Sequence, residues 1–218
     1  MDKTNNLDRI NESGILAVLR SPSYDLAVQT AEALLAGGLK GIEITFSTPK
    51  ALKVVSTLRE RHAEDILLGM GTLTEPAQAE AARGAGAGFV VSPHCEAELA
   101  AAMAATGLPA IIGALTPSEV MHARRLGADV VKIFPGSLVG PGYLKALRGP
   151  FGDIPLMPSG GVSLENIPDW FAAGAFTVAA GSSLCPPNLV ASGDFTEISH
   201  RAALFVQAVA EAKDWLDG

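Results

Sequence analysis

Short apolar runs alternate with amphipathic stretches along almost the whole chain. A polar opening carries a short predicted helix around Asn6 to Asn11. The apolar runs follow at Ile15–Arg20, Gly41–Phe46, Leu67–Thr72, Phe89–Pro93, Pro109–Ala114, Val130–Pro135, Pro155–Gly160 and Thr177–Ser182. Each is brief and bounded by turn-forming residues, and several are rich in β-branched side chains, which predicts buried strands. Between them the spacing predicts helices over Tyr24–Ala36, from Thr48-Pro49 to about Arg61, from Glu75-Pro76 to near Gly84, and over Glu96–Ala105. Further helices are predicted from Thr116-Pro117 to about Leu126, around Tyr143–Leu147, over Leu164–Ala173, and from Glu197 to about Leu216, with a loop at Pro186–Asp194. Proline near a start and glycine past an end are the expected helix punctuation.

Such alternation implies parallel strands joined by helical crossovers. Eight strand–helix units in 218 residues predict a compact α/β fold, a (β/α)8 or TIM barrel. An open doubly wound sheet is the rival, but no GxGxxG turn follows the first strand. No linker or shift of composition divides the chain, so residues 1–218 read as one barrel domain.

Composition narrows the function. The net charge is −7 and the basic residues are scattered, so no stripe for nucleic acid exists, and a phosphate ligand would need a local site. The two cysteines, Cys95 and Cys185, lie far apart without metal-binding spacing, and reduced thiols in the cytoplasm are the simpler reading. The start lacks an apolar signal region, and no apolar run is long enough to span a membrane. His62, His122 and His200 read as solvated, and His94-Cys95 as an ordinary loop, so no metal is expected.

The chemistry gathers at the strand ends, where barrel active sites lie. Val130-Val131-Lys132-Ile133-Phe134-Pro135 sets one lysine in an apolar strand. Removing an ammonium from water is costly unless it is paired or loses its proton, and a desolvated lysine of lowered pKa is what imine chemistry on a carbonyl requires. A lysine that snorkels to water from the strand end is the bland alternative. Strand alternation turns Glu43 and Thr45 into the barrel, with Ile42, Ile44 and Phe46 toward the helices. Glu43 can then meet Lys132 near the mouth, as an acid–base partner or as a structural ion pair. Arg20, Thr72 and Pro93 end other strands. Ser159-Gly160-Gly161 after the seventh strand and Gly181-Ser182 after the eighth fall where these barrels often bind phosphate, although ordinary turns also use Gly-Gly.

Glu43-Ile44-Thr45, Gly69-Met70-Gly71-Thr72, Ser92-Pro93, Lys132-Ile133-Phe134-Pro135 and Pro158-Ser159-Gly160-Gly161-Val162 occur in this order. Together, over Ile15 to Ser182, they resemble the KDPG/KHG aldolase family of class I 2-keto-3-deoxy-6-phosphogluconate aldolases. The resemblance implies Lys132 as the Schiff-base lysine and Glu43 as general acid/base. It implies Thr72 and an arginine on the pyruvyl carboxylate, Pro93 and Phe134 among the substrate-binding residues, and Gly160, Gly161, Gly181 and Ser182 around the phosphate. It also implies pyruvate and glyceraldehyde 3-phosphate as products, no cofactor, and a homotrimer. Cleavage of 4-hydroxy-2-oxoglutarate is left open. Three positions depart from the family pattern. Ser47 stands where many members have the carboxylate-binding arginine, and Arg20 is expected to take over. Met70 replaces a smaller residue beside Thr72. Ser159 keeps a hydroxyl near the C4 end of the substrate, which favours the gluconate over the galactonate epimer. A metal-free phosphate-binding isomerase or epimerase, and a metabolite sensor without turnover, are the other readings.

Overall fold

The computed structural model describes residues 2–217. The opening helix α1 (Lys3–Ser13) starts at Asp2, whose carboxylate accepts from the Thr4 amide, and stops at Gly14 in the left-handed region. It extends beyond the predicted core of Asn6–Asn11 because capping, not an apolar stripe, sets its ends. Then come β1 (Ile15–Leu19), α2 (Tyr24–Ala36), β2 (Gly41–Thr45), α3 (Ala51–His62), β3 (Leu67–Gly71), α4 (Pro76–Gly84), β4 (Phe89–Val91) and α5 (Ala97–Ala105). The second half runs β5 (Ala110–Ala114), α6 (Pro117–Arg125), β6 (Val130–Ile133), α7 (Gly140–Arg148), β7 (Leu156–Pro158), α8 (Ile167–Ala172), β8 (Val178–Ala180), α9 (Pro187–Ser192) and α10 (Phe195–Asp217).

The strands form one parallel sheet in the order β7-β6-β5-β4-β3-β2-β1-β8. It closes through a bridge between Ser159 and Ala179 and a 2.9 Å bond from the Phe176 amide to the Leu156 carbonyl. The result is the expected (β/α)8 barrel. Two differences from the predicted elements stand out. Residues 187–192, expected as loop, form α9, a six-residue helix opened by Pro187 and stopped by Gly193. Several strands end one or two residues early, which leaves Arg20, Phe46, Thr72 and Pro93 in the loops at the mouth.

Alternation sorts the core into two parts. Outward residues such as Ile42, Ile44, Val131 and Ile133 pack against the helix ring. Inward residues Leu16, Leu67, Phe89, Val91, Ile111, Val130, Met157 and Ala179 form a separate apolar cluster, joined by Ile10 of α1. Asn6 anchors α1 there, its amide group donating to the Gly88 carbonyl at 2.9 Å. The N-terminal end of the barrel is thereby filled, and the C-terminal end is left for chemistry.

Candidate active site

A cavity of about 500 Å3 opens at the C-terminal end of the strands. All eleven residues singled out in the sequence line it: Arg20, Glu43, Thr72, Pro93, Lys132, Phe134, Ser159, Gly160, Gly161, Gly181 and Ser182. The structure adds Val18, Val162, Ser163 and Ser183. Val18 is an apolar strand residue with nothing chemical to mark it. The two serines lie just beyond the glycine motifs, close enough to have been read with them. A larger void of about 720 Å3 between α2 and α10 is an open surface groove, remote from this constellation.

Glu43 is wholly buried and Lys132 nearly so, at 0% and 5% exposure. Strand pairing sets Lys132 beside Gly113 on one side and Met157 on the other. Its Nζ lies 3.8 Å from Glu43 Oε1 and 5.3 Å from the centre of the Phe134 ring. At 3.8 Å the pair is too far apart for a hydrogen bond, and among the described residues neither Glu43 oxygen has such a partner. Burial pushes the Glu43 carboxyl above its usual range, and the charges of Lys132 and Arg20 offset this only in part. A neutral carboxyl presents no negative charge to Nζ and offers a proton instead.

Arg20 is held at the rim. Its Nε donates to Ser47 Oγ at 2.9 Å, and Ser47 Oγ is 2.9 Å from Thr45 Oγ1. Thr45 in turn donates to the Leu19 carbonyl at 3.2 Å. The inward threonine therefore serves as a support and does not line the cavity. Thr72 has φ 61°, a left-handed conformation that is an outlier for a β-branched residue. Such strain concentrates at functional positions, and Thr72 lines the cavity with Arg20.

The opposite wall is built by the loops after β7 and β8. Gly160 and Gly161 have φ 86° and 77°, and a Cβ on Gly161 would lie 2.8 Å from Ser137 Cβ. Only glycine suits this turn. The backbone amides of Gly161, Ser182 and Ser183 carry no turn or loop hydrogen bond among the described residues. Converging amides of this kind form a nest for an anion. Ser159, buried with 4% exposure, also lines the cavity.

Comparison with known proteins fits this geometry. The family model for KDPG and KHG aldolase matches residues 7–201. The chain belongs to this family. It is 35% identical over 211 residues to the 2-dehydro-3-deoxy-phosphogluconate aldolase of Pseudomonas aeruginosa, covering 96% of each chain. A solved structure described as native KDPGal superposes with a TM-score of 0.85 at 30% identity, over 92% of this chain and 96% of that one. The KDPG aldolase of Legionella pneumophila, captured with pyruvate as a covalent carbinolamine, superposes with a TM-score of 0.84 at 28% identity, over 91% and 96%. The chain is thus a member of an aldehyde-lyase family.

The remaining candidates stay apart from the cavity. Cys95 is half-buried and Cys185 buried, and neither is in a disulfide. Burial pushes the Cys185 thiol up to about 12, so it is no nucleophile at neutral pH. Among the described residues no group of three potential metal ligands exists, and no helix is long and apolar enough to cross a membrane.

Proposed function

We propose that this family member cleaves 2-keto-3-deoxy-6-phosphogluconate to pyruvate and glyceraldehyde 3-phosphate through an imine on Lys132. The observation that carries the reading is the buried Lys132–Glu43 pair, 3.8 Å apart, in a cavity also lined by the glycine–serine loops after β7 and β8.

The steps follow from the geometry. The free amine of Lys132 adds to the C2 ketone and forms a carbinolamine. Glu43, whose carboxyl burial raises above its usual range, gives a proton to the departing hydroxyl, water leaves, and a protonated imine remains. The carboxylate so formed accepts the C4 hydroxyl proton. The C3–C4 bond breaks, its electron pair moves toward the imine nitrogen as an enamine, and glyceraldehyde 3-phosphate departs. Glu43 returns its proton to C3, and water hydrolyses the pyruvyl imine to release pyruvate and free Lys132. One carboxyl thus serves as acid and base in turn. Arg20 and Thr72 hold the carboxylate end, and the glycine–serine loops hold the phosphate.

Borohydride reduction in the presence of pyruvate, followed by peptide mass mapping, tests the chemistry. A pyruvyl adduct on Lys132, absent in Lys132→Arg, is the expected result, and an isomerase or a sensor would give none. Turnover of the Lys132 variant falls by roughly 10⁵-fold or more, toward the uncatalysed rate. The likeness to the native KDPGal structure supports a second reading with the C4 epimer as substrate. A panel of both epimers and unphosphorylated 4-hydroxy-2-oxoglutarate separates these readings. The same reading extends to a one-domain protein of the cytoplasm that assembles as a homotrimer, which sedimentation equilibrium tests.

A further inference from the structure

The two loops of the anion nest do not hold each other by backbone bonds alone. Ser183 ties them together: its Oγ donates to the Val162 carbonyl across the gap. The same residue is held from behind. Its carbonyl accepts two bonds from Arg201 of α10, from Nε at 3.2 Å and from Nη2 at 2.5 Å. The third guanidinium nitrogen, Nη1, faces Glu197 Oε1 one helical turn earlier at 3.5 Å. Arg201 is therefore fixed to α10 at one edge and to the β8 loop at the other, and it does not line the cavity.

This arrangement carries charge as well as geometry. The carboxyl of Glu165, in the loop after β7, is lowered chiefly by the Ser163 hydroxyl, with the Arg201 charge adding a smaller pull in the same direction, and Arg201 opposes the upward push of burial on the Cys185 thiol. A single cation thus stands behind both loops. Arginine's planar fork makes such a two-bond grip directional, and lysine offers only a point charge.

We propose that Arg201 is a positioning residue for the phosphate end of the substrate. It sets the separation of the two amide-bearing loops through Ser183 and so tunes affinity for a phosphate monoester. This rests on the aldolase reading above. The grip on one carbonyl fixes where the Ser182 and Ser183 amides point, and a displacement of about 1 Å in such a group is enough to cost a large factor.

The test compares 2-keto-3-deoxy-6-phosphogluconate with unphosphorylated 2-keto-3-deoxygluconate in the wild type, Arg201→Met and Arg201→Lys. The expected result is that the ratio of kcat/KM for the two substrates falls by about tenfold in Arg201→Met, through KM for the phosphorylated compound. Inhibition by inorganic phosphate weakens in parallel, and Arg201→Lys recovers part of the ratio. Equal losses on both substrates would make Arg201 a purely structural residue and overturn the proposal, as would an unchanged ratio. If Arg201→Met does not fold, Arg201→Lys carries the same ratio test. A wild type that cleaves but ignores the phosphate sinks the positioning role, whereas a wild type without cleavage sinks the aldolase reading itself.

Discussion

Toward its N-terminal end the barrel interior is apolar and filled, with Leu16, Leu67, Phe89, Ile111, Val130 and Met157 packed together with Ile10. Toward the C-terminal end the same inward-facing rows carry Glu43, Lys132 and Ser159 onto a cavity of about 500 Å3. One strand alternation generates both regions. What differs is side-chain volume and the state of the polar groups. The lower half gains stability by close packing. The upper half gives up packing and keeps a buried carboxyl without a hydrogen-bond partner among the described residues, a state that costs stability and that the proposed chemistry uses.

The largest effect that sharpens this contrast is at Glu43. Glu43→Gln is expected to lower kcat by about 10²- to 10⁴-fold, the range of general acid–base catalysis, and to stabilise the fold at neutral pH. The sign follows from burial, which raises the carboxyl in the folded protein. Stability from this group is complete below the unfolded carboxyl value near 4.3 and is lost as pH rises from there through the raised folded value. Glutamine does not ionise and escapes that loss. Thermal unfolding should show Tm of the variant above the wild type near pH 8 and the gap closing toward pH 4. A Tm difference that is the same at both pH values would refute a raised carboxyl at Glu43.

Two glycines of β3, one facing each region, break the comparison open next. A Cβ on Gly69 would lie 2.1 Å from the Phe89 ring, in the packed half where nothing can yield. Gly69→Ala should therefore cost about 1–3 kcal/mol by overpacking, read as Tm at about 2–4 °C per kcal/mol, with kcat nearly unchanged. A Cβ on Gly71 would lie 1.8 Å from Glu43 Oε1. That Cβ would also crowd Glu43 Cδ and Cγ at 2.3 and 2.4 Å, but the carboxyl borders the cavity and can shift into it, so Gly71→Ala should lower Tm less than Gly69→Ala. Gly71→Ala displaces the Glu43 carboxyl from Lys132, and kcat should fall by about 10²-fold. If both variants lost stability alike, the two halves would not differ in the way described.

The same contrast explains how much of the molecule was legible in the sequence. The fold was, because short apolar runs bounded by turn-forming residues mark buried strands whatever their place in the barrel. The inward direction of Glu43 and Lys132 was legible too, since alternation counts from Ile42, Ile44, Val131 and Ile133. α9 was not, because six residues opened by Pro-Pro-Asn give no apolar period. Ser183 was missed for another reason. Its importance lies in what its carbonyl and hydroxyl reach, Arg201 on α10 and Val162 in the other loop, and sequence shows no such distant partners. Thr45 was read as facing the interior, yet its hydroxyl turns to the Leu19 carbonyl and to Ser47, since a buried hydroxyl takes the nearest partner.

The rim gives the smallest effects, because Arg20 and Ser47 are exposed and water competes there. Arg20 donates through Nε to Ser47 Oγ, which leaves the terminal groups of its fork for the carboxylate of the keto acid. A hydrogen bond to a charged group contributes about 1.5–3 kcal/mol, so Arg20→Ala should raise KM for the keto acid by about 10- to 100-fold with little change in kcat. Ser47→Ala removes only the strut, a neutral acceptor worth about 0.5–1.5 kcal/mol, and should raise KM by about two- to tenfold. The order of dependence is testable in one cycle. Ser47 acts through Arg20, so adding Ser47→Ala to Arg20→Ala should change KM no further. A double variant worse than Arg20→Ala would mean that Ser47 touches the substrate itself, and the serine in the place of the family's arginine would then be a binding residue in its own right.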